Sequence, residues 1–238
     1  MSPPPDFPRP LATVDVVPLA LREGTLAVGT LVRDRGPERG RAALPGGFVR
    51  PEEDADVEAT ARRVLRDKAG VRPTHLEQLA VFSGPDRDPR DWSLSVAFVA
   101  VIGGDGPSRD ASSGGDASSS GGGALRFAAP GALPALPFDH DRIVARAMDR
   151  VRAKGGYSSL PLCFLGEPFT LPSAHAVYER VLGRTLDRAA FRRKILDTGF
   201  LEDTGALSRP TAAVARPAKL YRRASGLRYT PRNFDARS

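Results

Sequence analysis

Apolar residues recur with two different periods along this chain, near 2 in some stretches and near 3.6 in others, and the switches between them map its elements. Thr13–Leu21 and Leu26–Arg33 flank Arg22-Glu23-Gly24-Thr25 and predict a β-hairpin. A Gly/Arg-rich loop leads to Leu44-Pro45-Gly46-Gly47. Helical spacing then runs from about Asp54 to Ala69, with Gly70 placed as C-cap. Leu76–Phe82 and the β-branched run Ser93–Ile102 predict two further strands, and Ala124–Ala128 a short one. Asp139–Lys154 predicts a helix. Its opening, Phe138-Asp139-His140-Asp141, suggests a metal site, but adjacent side chains diverge, so Asp139 is expected as N-cap with Asp141 in the first turn.

The remaining pattern has the order helix, turn, helix, hairpin. Phe169-Thr170-Leu171-Pro172-Ser173 leads into a helix over Ala174–Leu182, with Ser173 as its expected N-cap and Val177, Val181 and Leu182 on one face. Gly183-Arg184-Thr185 supplies the short turn. A second helix runs from Asp187 to about Asp197, its entry stapled by Leu186. Phe191 and Ile195 point inward, Arg193 nearly opposite them, and Arg188, Arg192 and Lys194 toward the flanks. Phe200–Leu207 and Val214–Arg222 form strands around a Ser/Arg/Pro tip, the wing. A recognition helix in the major groove with a basic wing on the backbone follows from that order. Arg193 is the candidate base contact, and Ala189 and Ala190 can touch only thymine methyls. The other cations, Arg188, Arg192, Lys194, Arg216 and Lys219 among them, are candidate phosphate contacts.

Charge supports this reading. The 238 residues carry a net +7. Residues 138–238 hold 19 Lys and Arg against 10 Asp and Glu, whereas the first 137 hold 16 against 18. A compositional bias would enrich both halves; a basic C-terminal half points to a polyanion partner. One cysteine, Cys163, excludes an intramolecular disulfide framework and is expected as a small buried hydrophobe. With three scattered His it builds no structural zinc site of the usual type. MSPPPDFPRP does not read as a signal peptide, and no apolar run approaches the ~20 residues of a membrane span, so a cytoplasmic protein without membrane contact is expected. The Gly/Ser/Asp run 103–123 reads as a low-complexity loop inside the first domain. The expected division is a disordered tail over 1–12, a first domain over 13–155, a second over 156–225 and a tail over 226–238, with the boundary near Gly155-Gly156.

Gly46-Gly47 through Arg63-Val64-Leu65-Arg66-Asp67-Lys68-Ala69-Gly70-Val71 resembles the Nudix signature. That signature ends R-E-U-x-E-E-x-G-U, U being aliphatic, and its three Glu at i, i+3 and i+4 share one helix face. There they hold divalent cations that bridge a pyrophosphate and activate water. The matching positions here are Val64, Asp67 and Lys68, so the local charge goes from −3 to 0. Arg63, Leu65, Gly70 and Val71 still match, and the segment from Gly47 to Gly70 is two residues longer than the signature. Glu52 or Glu53 can stand for the early Glu, but neither restores the helix triad. Fold without metal-dependent hydrolysis is the expectation, with no catalytic residue, metal or cofactor assigned; the alternative is a Nudix hydrolase acting on ADP-ribose or a similar nucleoside diphosphate derivative.

Further segments extend the resemblance. Leu44–Arg50, Leu76-Glu77-Gln78-Leu79, Gly84–Arg90, Leu136–Asp141, Phe169-Thr170-Leu171, Phe191–Lys194 and Arg216–Arg222 together resemble the Nudix-related transcriptional regulators, the NrtR family. The resemblance implies an α+β chain: a Nudix-type mixed sheet and helix sandwich, then a winged helix-turn-helix domain. It also implies a homodimeric repressor, commonly of NAD-biosynthesis genes, that binds palindromic operator DNA and releases it on binding ADP-ribose or a related nucleotide. On that basis Phe48, Arg50, Arg63, Asp67, Arg87 and Asp88 are candidate effector-binding residues, and Thr170, Ser173 and Tyr221 join the candidate DNA contacts. Two readings stay open here. Arg63 either binds effector phosphate or partners a loop carboxylate, and Asp86–Arg90 either contacts diphosphate or ribose or is a Pro-punctuated turn.

Overall fold

The computed structural model describes residues 9–104, 123–209, 217–231 and 233–234. Most of the expected N-terminal tail, nearly all of the low-complexity loop, and the wing tip with Val214 and Arg216 therefore lie outside the described residues.

The first half is a seven-stranded mixed sheet between two helices. Its strands are β1 (Leu11–Arg22), β2 (Thr25–Val32), β3 (Ala42–Ala43), β4 (Gly46–Phe48), β5 (His75–Gly84), β6 (Ser93–Val101) and β7 (Arg126–Ala128). The main order is β3-β2-β1-β6-β5, with β4 pairing β1 and β7 pairing β2. β1 and β6 run parallel at the centre, and both faces of this pair are covered. That is why both strands read as near-continuous apolar runs. Val14, Val16, Ala20, Val96, Phe98 and Ala100 face helix α1 (Val57–Ala69) with Ala61 and Leu65. Val17, Leu19, Val99 and Val101 face helix α2 (His140–Gly155) with Ile143, Ala147 and Val151. α1 starts three residues later than the pattern suggested, because Asp56 caps it through Ala59 N, and it ends on Gly70 as expected.

The second half comprises β8 (Phe169–Thr170), α3 (Leu171–Leu182), α4 (Arg188–Asp197), β9 (Leu201–Leu207) and β10 (Lys219–Arg223), with strand order β8-β10-β9. Ser173 is not the N-cap of α3. Thr170 caps it, accepting from Ser173 N at 3.3 Å, because Pro172 in the first turn needs no N–H acceptor and lets the helix begin earlier. Asp187 caps α4 through Ala190 N. His175 and Glu179 of α3 bind the Leu186 carbonyl and amide, at 2.9 and 2.8 Å, and so fix the turn between the helices.

The two halves pack closely at the junction. Near the expected boundary, Gly155 belongs to α2, and a Cβ there would lie 2.9 Å from Val181 Cγ1 on α3. Val177 and Val181 belong to the same core cluster as Leu26, Val28 and Val151. Part of the expected 226–238 tail packs against this junction. Arg228 and Ser159 exchange backbone and side-chain hydrogen bonds, Thr230 N donates to Tyr157 O, and Phe234 N donates to Gly156 O at 2.6 Å. The Phe234 ring is buried among Tyr178, Phe191 and Phe200, so residues 228–231 and 233–234 form a strap across the junction and α4.

Candidate functional site

The Leu44–Gly47 turn lies over a buried polar network. Asp15, on β1, accepts from Arg87 Nη2 at 2.5 Å and Ser95 Oγ at 2.7 Å, and His140 Nε2 is 3.5 Å away. Arg87 Nε also donates to Asp139 at 3.0 Å, and His140 Nδ1 accepts from Leu44 N at 3.1 Å. Burial alone would raise the Asp15 pKa; the hydrogen bond with His140, the Arg87 charge and the Ser95 hydroxyl hold it at about 2. The network joins β1, the turn, the β5–β6 loop and the start of α2. Gly46 is required beside it, since a Cβ would overlap Asp15 Oδ1. Asp139 occupies the N-cap position of α2 but makes no side-chain cap bond, because its carboxylate is held by Arg87.

Each candidate effector residue has a definite place. Arg87 points inward, its side chain only 7% exposed, and acts as the counter-ion of Asp15 and Asp139. For Arg63 the geometry favours the carboxylate partner: it forks onto Asp54 with 2.7 and 2.6 Å bonds and donates to Phe48 O. That pairing, with bonds from Arg50 N and Thr60 Oγ1, holds Asp54 below the ordinary carboxylate range and fixes loop 48–54 on α1. Arg50 pairs at the surface with Glu53, and Asp67 with Arg66. Asp88 forks onto Arg90, whose guanidinium stands 5.1 Å from the centre of the exposed Phe48 ring. Phe48 and Asp88 are thus brought together through Arg90.

The metal positions do not fit a divalent cation. Val64 is fully buried, and a Cβ on Gly47 would lie 3.1 Å from its Cγ2, so this position packs the turn. Lys68 directs its ammonium at Gly46 O, at 2.5 Å. Among the described residues no group of three or more His, Cys, Asp or Glu could hold a metal ion.

At the other end, Arg188, Ala189, Arg192, Arg193 and Leu196 are exposed on α4 while Phe191 and Ile195 are buried. Leu196, 45% exposed on the same outer face as Arg193, was not singled out from the sequence although its i+3 spacing places it there. Two candidates are turned elsewhere. Tyr221 is a core residue, 5% exposed, because period 2 on β10 sends its ring inward. Lys194 donates to Asn233 O and stands 5.2 Å from the Phe234 ring centre, held by the strap. Lys219 pairs with Asp203 at 2.9 Å across the exposed wing strands, and Thr170 and Ser173 hydrogen-bond to each other at 3.0 Å. No helix among the described residues is long and apolar enough to cross a membrane.

The NUDIX domain family matches residues 10–144, and the NrtR DNA-binding winged helix domain matches residues 161–223. The chain is 34% identical to the ADPR responsive transcriptional repressor NtrR of Acinetobacter baylyi over 91% of its length and 83% of that protein. Shewanella oneidensis NrtR superposes with a TM-score of 0.80 at 31% identity, covering 94% of this chain and 99% of that one. The same protein solved with a 27mer DNA gives 0.77 at 29% identity, covering 93% and 98%. Its Nudix domain has been solved with ADP ribose and gives 0.50 at 30% identity over 60% of this chain and 90% of that one. An ADP-ribose pyrophosphatase of Methanocaldococcus jannaschii is 37% identical over 52% of this chain and 65% of its own length. The chain belongs to the NrtR family of Nudix-related transcriptional regulators.

Proposed function

We propose that this chain is a homodimeric, cytoplasmic repressor of the NAD-metabolism type. It reads a palindromic operator through α4 and the wing, and releases it when ADP-ribose or a related nucleotide binds the Nudix domain. The observation that carries this reading is the outward cationic face of α4, on the second helix of a braced helix-turn-helix. The DNA-bound and ADP-ribose-bound relatives support it. The same domain is not a hydrolase, since only Asp67 remains of the three metal-binding carboxylates. Turnover of ADP-ribose with Mg²⁺ or Mn²⁺, abolished by Asp67→Ala, would overturn that statement.

A duplex selected from a random library is expected to be palindromic, with half-sites about one or two helical turns apart. Affinity should fall steeply with salt as phosphate contacts release counterions. Arg193→Ala should cost about 1–3 kcal/mol and relax sequence preference at one position per half-site. ADP-ribose should release the DNA, and by linkage saturating operator should weaken ADP-ribose binding by the same factor. Equal ADP-ribose affinity with and without operator would rule out the sensor role.

A further inference from the structure

The misfit between the Nudix metal site and its occupants has a chemical meaning of its own. In the signature, three carboxylates cannot approach a pyrophosphate directly, because like charges repel; a divalent cation must stand between them. Here the third carboxylate position carries Lys68, and its ammonium is directed at the carbonyl of Gly46, over the turn. Arg33, just past the end of β2, has Nε on Pro37 O at 2.9 Å and its guanidinium 4.9 Å from the centre of the Phe138 ring, near enough for its charge to act on Lys68.

Most local carboxylates are paired elsewhere, Asp15 and Asp139 with Arg87, Asp88 with Arg90 and Asp67 with Arg66, while the exposed Asp34 stands loosely beside Arg35 and attracts Lys68 only at longer range. Among the described residues neither Lys68 nor Arg33 has a carboxylate within ion-pair distance. Arg33 is half-buried and Lys68 exposed, and each has its pKa lowered, first by desolvation; on Lys68 the Asp34 charge opposes this and the Arg33 charge adds to it, and on Arg33 the Arg90 charge adds to it. Two neighbouring cations, neither held in an ion pair, favour an anion carrying more than one charge.

We propose that the Lys68 ammonium, assisted by Arg33, takes the place of the divalent cation and binds the diphosphate bridge of the nucleotide effector, so that effector binding needs no metal. The proposal rests on the effector reading above and assigns the atoms that recognise its charged part. It also explains why the helix keeps Arg63, Leu65 and Gly70, which shape the loop, while the metal-binding face changes.

The test is calorimetric titration of the full chain with ADP-ribose, in EDTA and in Mg²⁺. The expected affinity is the same in both. Lys68→Gln should bind about ten- to a hundredfold more weakly, as for the loss of a charged hydrogen bond, with an unchanged melting temperature. Lys68→Glu should bind weakly in EDTA and regain affinity with Mg²⁺, because the carboxylate again needs a bridging cation. Loss of wild-type binding in EDTA, or equal binding by Lys68→Gln, overturns the proposal. If wild type binds no ADP-ribose, the effector reading fails. Metal-free inorganic pyrophosphate then decides the Lys68 assignment: binding lost in Lys68→Gln supports it, and no binding by wild type overturns it.

Discussion

Arg87→Ala is expected to destabilise the protein by about 3–5 kcal/mol near neutral pH, with a urea midpoint shifted accordingly. Removal of the guanidinium leaves Asp15 and Asp139 charged, close together and nearly out of water. The loss should depend on pH in a defined direction. In the parent, Asp15 titrates at about 2, below its ordinary value, so its contribution is present at neutral pH and is lost as pH falls from about 4 toward 2. Without Arg87 the folded-state pKa of Asp15 rises, the carboxyl takes up a proton sooner, and the gap between variant and parent narrows on acidification. Asp15→Asn in the Arg87→Ala background should restore part of the loss at neutral pH, since a neutral amide needs no counter-ion. A variant whose deficit is constant from pH 7 to pH 3 would show that Arg87 contributes packing and not charge compensation.

Phe234→Ala is expected to cost a further independent 3–5 kcal/mol or so, the range for truncating a buried aromatic. Phe234 is 6% exposed and touches Tyr178, Phe191 and Phe200, which belong to α3, α4 and the start of the wing. Its loss opens a void under the recognition helix and frees Lys194 from the cation–π contact. A melting temperature lowered by roughly 10 °C should accompany weaker operator binding. Phe234→Leu, which keeps most of the volume, should recover most of both. Unchanged melting in Phe234→Ala would mean that the strap packs without stabilising.

The sequence announces those elements whose burial is periodic. β1 and β6 show in their β-branched runs, α1 in its Gly70 cap, and α4 in the Phe191/Ile195 spacing against Arg193. β3 and β4 span only two and three residues, too short for any period to register. Thr170 and Ser173 are both good caps three residues apart; the Pro172 between them was the signal that decides, since proline fits the first turn. The strap has no period at all, only isolated aromatics at Tyr229 and Phe234. Arg87 illustrates the limit at the candidate site. Its partners, Asp15 and Asp139, lie 72 and 52 residues away, so neither reading of the charged turn includes the buried counter-ion that it supplies.

The core shared between the sheet and α3 bears on how this protein can be taken apart or recombined. Val177 and Val181 complete a cluster begun by Leu26 and Val28, and Gly155 lets α2 close directly on α3. A protease that cut between residues 155 and 160 would therefore leave two fragments, each with a raw apolar face, prone to stick or unfold. The DNA reader is not a cassette. A chimera that grafts α3 and α4 onto another sensor must carry Leu26, Val28 and Val151, or equivalents of the same shape, along with them. A larger side chain at Val181 would for the same reason need a smaller one across the seam, since Gly155 leaves it no room.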